Sequence, residues 1–141
     1  MGWSFEPRLV AESPQPLEGL RWHYWNCHWA AKGQASYGDH LMFERFYDGL
    51  SEEVDTLAEK LVGLGSEQAV VSPARLAEVF LMLQGWSRVE CPYERSLKAE
   101  EKLQELLSSI QGVSLGMEDF LGGLANGHET NIYLLRRRLT R

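Results

Sequence analysis

Between Met42 and Leu64 the apolar residues keep helical time: Met42 or Phe43, Phe46, Leu50, Val54, Leu57, Leu61 and Leu64 recur every three or four positions. The spacing holds for about seven turns, which makes this segment one long amphipathic helix. It opens near Ser36 to Asp39 and ends at "GLGSEQ", a glycine stop followed by a cap. No alternation of strand type, repeat or low-complexity segment appears elsewhere, so the rest of the chain must supply helices to pack against it.

It does so. Leu17, Leu20, Tyr24, Cys27 and Ala31 mark a first helix running up to Gly33. "SPARLAEVFLML" offers Ser72 as cap and Pro73 at the first helical position of a short helix. Pro92 bars a helix through "QGWSRVECPYE", and "YERSLKAEEKLQELLSSIQ" is the third long amphipathic helix. The last runs from about Leu115 to Leu139. Gly122, Gly123 and Gly127 weaken its middle by roughly 1 kcal/mol each, which predicts close packing against a neighbour there. Pro7, Pro14 and Pro16 make residues 1–16 an extended arm, leaving 17–141 as one all-α domain. Four long helices, with a short extra helix in the connection between the second and third, fit a ferritin-like four-helix bundle with one crossover.

At 141 residues, 44% hydrophobic and 24% charged, the chain is long enough to bury one core. No apolar run approaches the roughly 20 residues needed to span a bilayer. The first residues lack a basic stretch leading into an apolar one, and Cys27 and Cys91 make no disulfide framework, so a cytoplasmic protein with reduced thiols is expected. With 20 acidic residues against 14 basic and a net charge of −6, general nucleic-acid binding is disfavoured. Arg136, Arg137, Arg138 and Arg141 crowd the C-terminus, where a helix dipole favours cations; a short nucleic-acid patch is the alternative reading.

The chemistry sits on and before the second helix. Glu44, Asp48, Glu52, Asp55 and Glu59 step by four, four, three and four, so five carboxylates share a face. Arg45 and Lys60 lie off that stripe, so no cation on the face relieves the repulsion. A bound metal such as iron, taken by carboxylates and imidazoles, is the natural source of positive charge. His40 and Glu44 are one turn apart and can share an ion, as can Asp55 and Glu59. Glu44 and Asp55, however, are separated by roughly 16 Å along a continuous helix, whereas a ligand atom lies about 2 Å from its metal. Either two separate weak sites exist, or two copies of the helix run antiparallel and pair one couple with the other about a twofold axis.

The pattern His28-Trp29, Gly33, His40, Glu44, Asp55 and Glu59, together with "LAEKLVGLG" and "GHETNIYLL", resembles the Dps family of mini-ferritins over roughly residues 17–139. The resemblance implies a ferroxidase centre made by His28, His40 and Glu44 of one subunit with Asp55 and Glu59 of its twofold mate. It further implies a dodecameric shell that oxidises Fe(II) with hydrogen peroxide or O2 and stores ferric mineral. Tyr24, Trp25 and Trp29 read first as aromatic core; Trp29, beside the site, is also a candidate electron relay. Asp48 and Glu52 are candidate nucleation residues. Glu118 and Asp119, which open the last helix, are candidates for an acidic iron-entry pore or simply a favourable pairing with the helix dipole.

Departures from the family pattern fall at Ser36, Asp39 and Leu41, and at Leu115, four before Asp119. DNA compaction, the family's other activity, finds little support, because the N-terminal arm carries only Arg8 against Glu6 and Glu12. His23 reads as a surface or interface residue, His128 as a packed and hydrogen-bonded histidine, and Cys27 as a small buried thiol.

Overall fold

The computed structural model describes residues 14–65, 73, 74, 76–78, 81 and 91–140. Most of the arm expected at 1–16 lies outside them. Four long helices are present: α1 (Gln15–Ala30), α2 (Ser36–Gly63), α3 (Pro92–Ser109) and α4 (Leu115–Leu139). Residues 73, 74, 76–78 and 81 are helical too, in agreement with the short helix expected in the middle connection. The helices form two compact units, one holding α1 and α2 and the other α3 and α4.

In the first unit α1 begins two residues earlier than the Leu17 expected, with Pro16 in its first turn. Proline is harmless there because the first N–H groups of a helix have no internal acceptor. Leu17, Leu20, Tyr24 and Cys27 of α1 and Phe43, Phe46, Leu50, Leu57 and Leu61 of α2 are buried. Tyr24 joins the two helices, its ring 5.0 Å from that of Phe46 and 6.0 Å from that of Phe43. The chain reverses through a short connection in which Gly33 adopts φ 89°, a left-handed conformation that side chains disfavour. So short a link obliges α1 and α2 to lie side by side, and sets the end of α1 against the start of α2.

In the second unit Ala99, Leu103, Leu106 and Leu107 of α3 and Met117, Leu121, Leu124 and Leu135 of α4 are buried. Ser114 caps α4, its hydroxyl accepting from Met117 N at 3.1 Å. Glu100 and His128 meet in the interior: His128 Nδ1 lies 2.6 Å from Glu100 Oε2, with the two residues 0% and 1% exposed. The amide of Asn131 donates to the other carboxylate oxygen at 3.0 Å. His128 is therefore the packed, hydrogen-bonded histidine that was expected. At the C-terminal end Arg138 lies 4.4 Å over the Tyr93 ring, and Arg136 lies 3.8 Å from Glu101.

The glycines of α4 require a correction. Gly122, Gly123 and Gly127 are exposed, and a Cβ added to any of them would meet nothing within 4 Å. Among the described residues no close neighbour explains them; the helix is held by the opposite face, through Met117, Leu121, Leu124 and Leu135. Gly127→Ala is accordingly expected to raise thermal stability, by up to about 1 kcal/mol, as measured by calorimetry. A fall in the midpoint would mean that another copy covers this face.

Candidate metal centre

His28 occupies the last turn of α1 and His40 the second turn of α2, twelve residues further on. Their rings stack with centroids 3.5 Å apart at an interplanar angle of 24°. Each imidazole is anchored by the backbone of the other residue. His28 Nδ1 donates to the His40 carbonyl at 2.8 Å, and His40 Nδ1 donates to the His28 carbonyl at 3.0 Å. Because a carbonyl can only accept, both Nδ1 atoms must carry the proton. In each neutral ring the lone pair is then on Nε2, the arrangement a metal-binding histidine needs. Glu44, one turn beyond His40, completes the group: one ligand atom from each of the three lies within 4.8 Å of the others. Among the described residues no other group of three or more such side chains is found.

The remaining candidates are placed elsewhere. Asp48, Glu52, Asp55 and Glu59 are exposed on α2, continuing the face that Glu44 begins. Asp55 and Glu59 are not among the grouped ligands of this subunit, as the helical rise requires. Glu118, in the first turn of α4 where the dipole favours acids, and Asp119, which follows it, are both exposed. Cys27 is buried, its sulfur 3.7 Å from His23 Nε2, and His23 is half-buried.

The expectation of an aromatic core holds for Tyr24 and fails for Trp29, which is 58% exposed. Trp29 belongs to an outer aromatic row: its ring is 4.8 Å from that of Trp25, which is 5.1 Å from Trp22 and 5.8 Å from Tyr47. Tyr47 in turn meets His28 edge-on at 5.2 Å. Burial, reinforced by the Glu44 and Asp48 carboxylates, pushes the Tyr47 phenol above its usual range. Arg21 lies over both Trp22 and Trp25, and its hydrogen bond to Glu18 raises the already high pKa of its guanidinium.

Two residues of chemical interest escaped the sequence reading. Tyr47 follows Glu44 by three and so belongs to the same region of α2, a spacing that could have singled it out. Glu100 sits in register with Ser96, Leu103 and Leu107, so an acid in an apolar stripe was the available signal for a buried carboxylate.

No protein-family model matches the sequence, and no curated protein matches it. Among solved structures, a mutant of Dps1 from Mycobacterium smegmatis is similar, with a TM-score of 0.75 over 95% of this chain and 94% of that one, at 17% sequence identity. At that identity the likeness is one of architecture. The chain has the ferritin-like helical fold of Dps.

Proposed function

We propose that the protein is a ferroxidase and iron store, in which Fe(II) is oxidised at sites shared by two copies of the chain. The observation that carries this reading is the reciprocal anchoring of His28 and His40 beside Glu44. Two imidazoles with free Nε2 atoms and one carboxylate suit Fe(II), and the carboxylate favours the harder Fe(III) product. Asp55 and Glu59 of a second, antiparallel copy would complete the ligand set, since among the described residues they belong to no group of three ligands in their own subunit. Two Fe(II) ions would pass two electrons to one peroxide, which takes up two protons and leaves as two waters. No hydroxyl radical is released in that stoichiometry. Asp48 and Glu52, exposed along the same face, would collect the ferric product. Trp29 would supply an electron should a one-electron oxidant form nearby.

The test is rapid-mixing oxidation of Fe(II) by the purified protein, with peroxide and with O2. The double variant Asp55→Ala/Glu59→Ala is expected to lose the fast phase. Unchanged kinetics would remove these two residues from the site. Mass measurement would report whether the protein forms a dodecameric shell. A DNA-compacting shell has less support, because the chain carries a net charge of −6 and phosphate binding depends on an excess of Lys and Arg.

A further inference from the structure

We infer that divalent cations control the pairing of two copies, because the site-bearing faces of α2 repel one another until a cation occupies the centre. This rests on the shared site proposed above. Pairing His40 and Glu44 with Glu59 and Asp55 of an antiparallel copy puts the twofold axis between positions 49 and 50. The crossing then falls in the middle of the acidic stripe, beside Asp48 and Glu52. Each copy brings Glu44, Asp48, Glu52, Asp55 and Glu59 to the contact, and the last four are exposed in the isolated subunit. From Ser36 to Glu59 the only basic side chain other than His40 is Arg45. Bringing two such faces together without cations therefore sets like charges against each other in a partly dehydrated contact, where Coulomb repulsion is strongest.

The other half of the argument is that the cation has somewhere to land first. His28 is 8% exposed, its Nδ1 is committed to a carbonyl, and no protein group among the described residues is hydrogen bonded to its Nε2. With His40 and Glu44 this makes a three-ligand half-site within one subunit. The stretch holding Asp55 and Glu59 has carboxylates and no imidazole. Loading is thus ordered: a cation binds the His28/His40/Glu44 half, its charge attracts the Asp55/Glu59 half of another copy, and closure supplies the missing ligands. A ligand that bridges the paired state and binds the separate state less well must tighten the pairing by mass action.

The full-length protein, stripped with a chelator and dialysed, would be followed by sedimentation velocity over a dilution series. Zn(II) or Co(II), which do not undergo the redox step, would then be added. The expected result is at least a tenfold tighter association with the cation. Asp48→Asn/Glu52→Gln is expected to associate more tightly without cation and to keep responding to it. Asp55→Asn/Glu59→Gln should also tighten the cation-free state but lose the response. The inference is overturned if association is unaltered by a cation whose binding to His28 and His40 is visible in the Co(II) absorption spectrum; the site itself then stands. If His40→Ala still responds to Zn(II), the site assignment fails and the inference with it.

Discussion

Replacing His40 with alanine is expected to weaken divalent-metal binding about a hundredfold or more, and to cost about 1 kcal/mol of stability as well. The two effects have separate origins. Loss of the imidazole removes one of three ligand atoms grouped within 4.8 Å. It also frees the His28 carbonyl, which lies in the last turn of α1 and accepts from His40 Nδ1. Carbonyls in that turn have no partner within the helix, so the side chain from α2 is acting as a cap supplied by a neighbour. Titration calorimetry with Co(II) or Zn(II) measures the first effect, and thermal unfolding of the metal-free protein measures the second. A variant that binds metal normally would show that the stacked imidazoles are merely a structural clasp.

The second large effect is expected at Glu100. Glu100→Ala leaves His128 and the Asn131 amide facing an empty buried space. Breaking a buried pair in this way costs about 3–5 kcal/mol. For a chain of this size the thermal midpoint should fall by roughly 10 °C. Glu100→Gln should cost less, because its amide oxygen can still accept from His128 Nδ1. Glu100→Met combined with His128→Leu should recover most of the loss, since both polar groups leave together. If the single alanine variant unfolds within 2 °C of the wild type, about 1 kcal/mol or less, the pair is not shielded from water.

Most of the helical layout could be read from residue spacing alone. The stripe from Phe43 to Leu61 needs only the 3.6-residue period to announce α2, and Ser114 and Leu139 bracket α4 where the pattern placed it. What spacing cannot reveal is what lies opposite a given face. Gly122, Gly123 and Gly127 suggested a close neighbour and proved open, and Trp29 suggested a core residue and proved exposed. Both errors have one cause, since small and aromatic residues look alike on a covered and an uncovered face. The metal centre divides in the same way. His40 and Glu44 were adjacent by helical arithmetic, whereas the reciprocal bonds between His28 and His40 depend on how a five-residue connection turns.

That connection also bears on how early the centre can exist. All three grouped ligands fall within residues 28–44, so no distant part of the chain has to arrive before they meet. Closing a loop of about a dozen residues takes on the order of 0.1 µs, and contacts so local carry little entropic cost. Gly33, by admitting the left-handed turn, therefore sets a timetable as well as a shape. The imidazole pair belongs to a hairpin that precedes α3 and α4 in the chain, and can be formed while those two helices are still to be made.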